Sequence, residues 1–168
     1  MGLTPAFRPV EDADLGALLG IYNHYVRTST ATFHIAELGE QEFRSLVFPG
    51  HPPFGAWTLV AGGRAAGYVI LARYKPREAY DGTAEVTVYL HPDVTGQGLG
   101  RAAAGFAETV ALQRGFHTLL AVICGENASS ITLFERLGYV KCAHHHEVGR
   151  KFGRWLDVVC YEKLLSTK

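Results

Sequence analysis

VYLHPDVTGQGLGRAAAGF, residues 88–106, decides how the rest of the chain is read. An apolar run stops at Pro92, glycine recurs at every second position from Gly96 to Gly100, and an alanine-rich segment follows that reads as a helix. Glycine lets the backbone take positive φ and lets a ligand come close. The helix behind it turns its free N–H groups and positive dipole end back into the turn. A bare βα connection needs one such glycine, so three at alternate positions point to a site for a phosphate or pyrophosphate.

Two phosphate motifs fit worse. There is no GxxxxGK followed by Ser or Thr, which excludes a P-loop. GLGRAA at 98–103 does satisfy G-x-G-x-x-A, and Glu126 lies near the end of the next strand. That fingerprint, however, belongs to the first βαβ unit of a long parallel sheet, whereas here a hairpin precedes the loop and only one more strand–helix pair follows it.

Outward from the loop the chain reads as one α/β unit, a single domain over 1–168 without repeats. Before it, FRPVEDADLGALLGIYNHYV begins with a short strand, offers Asp12 or Asp14 as an N-cap, and places Leu15, Leu18, Leu19, Tyr22 and Val26 at helical spacing. EQEFRSLVF reads as a second helix ending before Pro49. AWTLVAGGRAAGYVILARY reads as two strands about Gly62 and Gly63, a pair suited to a tight hairpin turn. AEVTVYL then leads into the glycine loop. Behind the loop come a helix over 99–114, the strand HTLLAVI, a helix over 128–137 begun by NASS, and two late strands around KCAHHHEVG and WLDVVCYEKLL. A hairpin first and a βαβ unit second imply a mixed sheet.

Composition narrows the partners. Sixteen Lys and Arg balance sixteen Asp and Glu in 168 residues, so no global positive field draws nucleic acid or a membrane surface. A small neutral or zwitterionic partner fits better. The N-terminus lacks a leader pattern and no apolar run approaches the roughly 20 residues of a bilayer span, so a cytosolic location is expected. Cys124, Cys142 and Cys160 are odd in number and include no CxxC; each is expected as a small buried side chain. His144, His145 and His146 alternate faces if they form a strand, so at most His144 and His146 converge. No carboxylate or cysteine is spaced to complete a tetrahedral site with them, so no metal is expected and the run reads as solvated.

VTVYLHPDVTGQGLG, the GF at 115–116, AVICGENASSITLFERLGY and GRKFGRWLDVV together resemble the GNAT superfamily of N-acetyltransferases. IYNHYVRTSTATF at 21–33 and YKPREAYDGTAEVTVYL at 74–90 are similar to segments of its phosphinothricin and methionine sulfoximine acetyltransferase branch. The resemblance runs from Phe7 to Leu164. It implies the GNAT fold, a mixed and mostly antiparallel sheet of about seven strands flanked by about four helices. It also implies acetyl-CoA as co-substrate. The backbone of Val88, Tyr89 and Leu90 would pair with the pantetheine arm, the loop N–H groups of Gly96, Gln97, Gly98, Leu99, Gly100 and Arg101 would hold the pyrophosphate, and Asn127 would hydrogen-bond the cofactor arm. The family usually opens this loop with Arg or Gln, and here Thr95 stands there.

The chemistry asks for a base, because an amine protonated at neutral pH must lose a proton before it attacks a thioester. Glu85 shares a strand face with Thr87 and Tyr89 by period-two alternation, and the resemblance implies that it is this base, directly or through water. A backbone donor in the Val88–Leu90 stretch would meet the developing oxyanion. Relatives place a tyrosine or histidine where this chain has Phe134, which cannot protonate a leaving thiolate. A thiol pKa of about 8.5 makes that help dispensable, so water or no acid is expected. The branch's acceptor-contacting positions match Phe33, Lys75, Arg77 and Tyr80, the cations suiting an acceptor carboxylate. Trp155 reads as a packing anchor behind a turn, and the resemblance implies a homodimer built through the late strands. The leading expectation is acetyl transfer to the amine of a small amino acid or analogue. A protein N-terminus or polyamine acceptor, or a non-catalytic CoA-binding sensor, are the alternatives.

Overall fold

A computed structural model describes residues 4–165. All seven strands join one sheet in the order β1-β2-β3-β4-β5-β7-β6. In chain order these are β1 (Ala6–Pro9), β2 (Gly55–Ala61), β3 (Arg64–Arg73), β4 (Thr83–Leu90), β5 (Thr118–Cys124), β6 (Val140–Lys151) and β7 (Arg154–Leu164), with helices α1 (Leu15–Thr28), α2 (Glu40–Val47), α3 (Leu99–Gln113) and α4 (Ala128–Arg136). Only β4 and β5 run parallel, because a helix, α3, fills the crossover between them. The sheet is thus mixed and mostly antiparallel, as the sequence implies. No helix among the described residues is long and apolar enough to cross a membrane.

Alternation along the strands gives the sheet two apolar faces. Ala56, Tyr68 and Ile70 meet Leu18, Tyr22 and Val26 of α1 and Phe43 of α2 on one side. Val69, Leu71, Ala84, Val86, Leu119 and Ala121 meet Ala104, Ala107 and Ala111 of α3 and Phe134 of α4 on the other. The small side chains of α3 bring that helix close to the sheet, and with it the glycine loop. Gly62 and Gly63, both at positive φ, make the β2–β3 turn, as read from the sequence.

Four local readings are corrected. Asp14 does not cap α1 through its side chain: it is buried, takes both Arg8 nitrogens at 2.7 Å, and accepts from the Thr58 hydroxyl and the Glu11 N–H. Burying a carboxylate requires such partners, and β1 and β2 supply them. Of the cysteines only Cys124 is buried; Cys142 is exposed and Cys160 half-buried. Trp155 is no packing anchor but stands 59% exposed, with the Arg150 guanidinium over its ring. His144 and His146 do converge, but a carboxylate joins them, Asp157 of β7. The register of β6 against β7 slips between His145 and Gly149, which brings both imidazoles over that residue.

Candidate active site

β4 pairs with β5 only at Thr83–Thr118, Ala84–Leu119 and Glu85–Leu120. Beyond Glu85 each strand stays with its antiparallel neighbour, β4 with β3 as far as the Leu90–Gly67 pair and β5 with β7 as far as the Cys124–Val158 pair. The two strands part, and a cavity of about 1120 Å³ opens along the cleft. Its walls include Glu85 to Leu90, Ala121 to Cys124, the Thr28–Phe33 segment and the start of α4. The edge of β4 that faces the cleft beyond Glu85 has no strand partner, so its backbone groups stand ready for an extended ligand.

At the wide end lies the glycine loop. Gly96 and Gly98 sit at φ 75° and 82°, and Gly98 is the residue before α3. Gly100 is different from the expectation, a residue of the helix's first turn without positive φ. The N–H groups of Gly96 through Arg101 find no backbone acceptor among the described residues; the first intrahelical bond is from Ala102 to Gly98. The loop is braced from within by Thr95 Oγ1 donating to the Pro92 carbonyl at 2.9 Å and Gln97 Nε2 donating to the Asp93 carbonyl at 3.1 Å. Unpaired amides at a helix N-terminus form an anion site. Arg101 and Arg136 add two guanidinium groups to the cavity wall.

At the narrow end stands Glu85. Its carboxylate is half-buried, and no hydrogen-bonding or ionic side-chain partner approaches it among the described residues. Burial pushes its carboxyl above the usual carboxylate range. Tyr89, on the same face, donates its hydroxyl to the Ala31 carbonyl at 3.1 Å, and Tyr25 donates to the Leu90 carbonyl at 2.7 Å. Both bonds tie the free stretch of β4 to α1 and the loop behind it. Asn127 is the residue before α4: its Oδ1 accepts from the Ser130 N–H at 3.2 Å and the Ser129 hydroxyl at 3.0 Å. Its amide nitrogen is left over for a ligand.

The structure therefore gathers Glu85, Val88, Tyr89, Leu90, Gly96, Gly98, Gly100, Arg101, Asn127 and Phe33 around one cavity. Gln97 is on the loop but outside the wall, and the Leu99 side chain is buried under α3, leaving only its backbone to the site. Lys75, Arg77 and Tyr80 lie on the β3–β4 connection, next to the Glu85 end of β4 but outside the cavity wall. There Lys75 stacks on Tyr74 and Tyr80, while Arg73 and Asp81 pair at 2.8 Å across the base of the connection. Phe134 lines the cavity and packs edge-on against Tyr139.

Three contacts at or behind the wall had no signal in the sequence. Thr30 donates to Glu126 at 2.6 Å, joining the loop after α1 to the turn after β5, and Arg154 grips the same carboxylate with both terminal nitrogens. These partners hold the Glu126 carboxyl down at about 2. Lys151, 4% exposed, donates to the Ser29 and Thr32 carbonyls at 2.7 and 2.8 Å. Burial lowers its pKa. Gly149 lies against the Phe33 ring, and a Cβ there would collide with it. Each contact joins residues 28 or more positions apart, beyond the reach of local patterning.

This cleft and loop define a class, and the comparisons agree on it. Residues 18–139 match the acetyltransferase (GNAT) family, and the chain belongs to that family of N-acetyltransferases. It is 36% identical to a phosphinothricin N-acetyltransferase of Alcaligenes faecalis over 95% of this chain and 82% of that one. It is 34% identical to an L-methionine sulfoximine/L-methionine sulfone acetyltransferase of Pseudomonas aeruginosa over 93% of this chain and 92% of that one. Among solved structures, a GNAT superfamily phosphinothricin acetyltransferase of Sinorhizobium meliloti in complex with acetyl-CoA superposes with a TM-score of 0.89 at 29% identity, covering 98% of this chain and 89% of that one.

Proposed function

We propose that this chain transfers an acetyl group from acetyl-CoA to the amine of a small amino acid or analogue of the phosphinothricin or methionine sulfoximine kind, with Glu85 as general base. The observation that carries the reading is the unpaired, half-buried Glu85 carboxylate in the same cleft as an unpaired β4 edge and a loop of free N–H groups. The relatives' names support the acceptor class. Acetyl-CoA, when bound, supplies an activated acyl carbon on a thiol leaving group.

The residues present fit that co-substrate. The Gly96–Arg101 amides, with Arg101 and Arg136, meet the negative charge of a pyrophosphate. The backbone of Val88, Tyr89 and Leu90 offers strand-like pairing to the pantetheine amides, and the Asn127 amide nitrogen a further donor. Glu85 takes the ammonium proton of the acceptor, directly or through one water, and its raised pKa brings it closer to the operating pH, where a base works best. A β4 amide in the Val88–Leu90 stretch donates to the oxygen on which charge develops. Phe134 donates no proton, so the thiolate departs unaided or to water. Phe33 forms the acceptor-side wall; Lys75, Arg77 and Tyr80 receive the acceptor's carboxylate from the neighbouring connection. The chain acts as a single domain, and the enzyme works in the cytosol on a small molecule, without nucleic acid or membrane. Exposed Val140, Val148, Trp155 and Leu164 on β6 and β7 support a homodimer through those strands.

Thiol release from acetyl-CoA is measured with phosphinothricin, methionine sulfoximine, methionine sulfone, ordinary amino acids, polyamines and peptides as acceptors. Turnover on an amino acid or analogue, lost in Glu85→Gln, is the expected result. Acetyl-CoA binding without turnover on any of them would overturn the reading in favour of a sensor, and turnover on polyamines or peptides alone would move the acceptor class.

A further inference from the structure

We propose that His144, His146 and Asp157 form a binding site for a divalent transition-metal ion of the zinc type on the face of β6 and β7. His144 Nε2 lies 2.8 Å and His146 Nδ1 3.3 Å from the same oxygen, Asp157 Oδ2. All three ligand atoms fall within 4.8 Å of one another. Metal–ligand bonds of about 2.0–2.2 Å in tetrahedral or octahedral geometry put ligand atoms about 3 to 3.4 Å apart, so a small closure around a common point completes the set. Two imidazoles and a carboxylate suit zinc and its neighbours better than calcium or magnesium, which prefer all-oxygen shells. Three protein ligands leave one or more positions for water.

The surroundings hold the ligands in place. The second carboxylate oxygen, Asp157 Oδ1, accepts the Glu147 N–H at 2.8 Å, which turns Oδ2 toward the imidazoles. Glu147 is at φ 51°, a left-handed backbone that non-glycine residues adopt only when the surroundings require it. That kink is the register slip which allows His144 and His146 to reach the same carboxylate. The two rings stack with centroids 4.1 Å apart. The Asp157 carbonyl accepts the Gly125 N–H at 2.8 Å, anchoring β7 beneath the site. Fixed outer contacts of this kind orient ligands in metal sites.

The cation facing the cluster is Lys141, whose Nζ lies 3.4 Å from His144 Nδ1. An ammonium only donates, so Nδ1 accepts and Nε2 holds the proton shared with Asp157. Metal binding at Nε2 moves that proton to Nδ1 and releases exposed Lys141 into solvent. The bound ion then staples β6 to β7 across the kink, and the folded state gains stability by mass action.

The test is a calorimetric titration of the full chain, free of any polyhistidine tag, with Zn²⁺ alone. Wild type is compared with His146→Ala, Asp157→Asn, His145→Ala and Cys142→Ser, with light scattering to hold the association state constant. His146 is 76% exposed, so its removal leaves the fold intact, and metal-free melting curves verify this for every variant. One ion per chain is expected, with affinity at least tenfold weaker in both His146→Ala and Asp157→Asn, unchanged in His145→Ala and Cys142→Ser, and a melting temperature that rises with Zn²⁺ only in the proteins that keep all three ligands. Absence of saturable binding, or binding that survives either ligand substitution, or binding lost with Cys142, would overturn the assignment.

Discussion

Lys151 Nζ donates to the Thr32 carbonyl at 2.8 Å, a bond between the last residue of β6 and the loop that follows α1. The same ammonium reaches Ser29. Because Phe33 lies next along that loop and lines the cavity, one buried cation sets the position of that part of the wall.

Removing it should therefore separate acceptor binding from cofactor binding. Lys151→Met leaves two inward-facing carbonyls without a donor, a loss of about 1–3 kcal/mol in stability. The expected outcome is a lower melting temperature and a higher KM for the amino-acid acceptor, with the dissociation constant of acetyl-CoA unchanged in direct binding. Gly149→Ala, which displaces the Phe33 ring, should raise the same acceptor KM at smaller cost in stability.

Glu85→Gln is expected to lower kcat by about 10²- to 10⁴-fold, the range of a lost general base, while acetyl-CoA binding is retained. Burial raises the Glu85 carboxyl, and only its ionised form accepts a proton. The rate of the wild type should fall as pH drops through that raised value, at a midpoint above ordinary glutamate. A pH profile of kcat/KM for the acceptor checks this, and the variant's residual rate should lack that acidic limb.

Gly67 packs against the end of β4. A Cβ there would stand 2.5 Å from the Tyr89 carbonyl oxygen and 2.8 Å from Leu90 Cδ2, so the free stretch of β4 would have to move. Gly67→Ala should cost about 1–3 kcal/mol, as overpacking does, and raise the KM for acetyl-CoA. Gly105, in the middle of α3 with nothing within 4 Å of an added Cβ, is the opposite case. Gly105→Ala should stabilise the fold by about 0.5–1 kcal/mol and leave both KM values alone. Thermal melts and steady-state kinetics of the pair decide it.

The Glu126 tie between Thr30 and Arg154 should loosen in acid. Its folded pKa of about 2 lies below the usual glutamate value of 4.5, so the unfolded chain binds the proton more tightly and stability falls as pH drops through that window. Above it the contribution is complete, and being half-exposed it amounts to no more than about 1 kcal/mol. Melting temperatures of wild type and Glu126→Gln, compared from pH 7 to pH 2.5, should converge toward the acid end.

Much of this was legible because it is local. Gly96 and Gly98 announce a backbone that turns before a helix, Gly62 and Gly63 a two-residue hairpin, and period-two alternation put Glu85 on the face of Tyr89. Asn127 was legible as a helix start, and in the structure its Oδ1 accepts from Ser129 and Ser130 while its amide nitrogen is left over. What failed were single-residue readings that turned on a distant partner. Asp14 looked like a cap until Arg8 and Thr58 claimed it, and Trp155 looked like an anchor yet faces solvent.

By itself the sequence determined the elements, their polarity and the chemistry carried along single segments: the amide-rich loop before α3, the carboxylate on β4, the residue that caps α4. Only the tertiary structure decided where the cleft opens, because β4 and β5 part after Glu85 when each follows a different antiparallel neighbour. It alone decided that Lys151 reaches Thr32, that Arg154 and Thr30 share Glu126, and that Asp157 sits under two histidines. Backbone preference acts between residues a few positions apart, whereas these contacts depend on strand order and register, which the whole sheet settles at once.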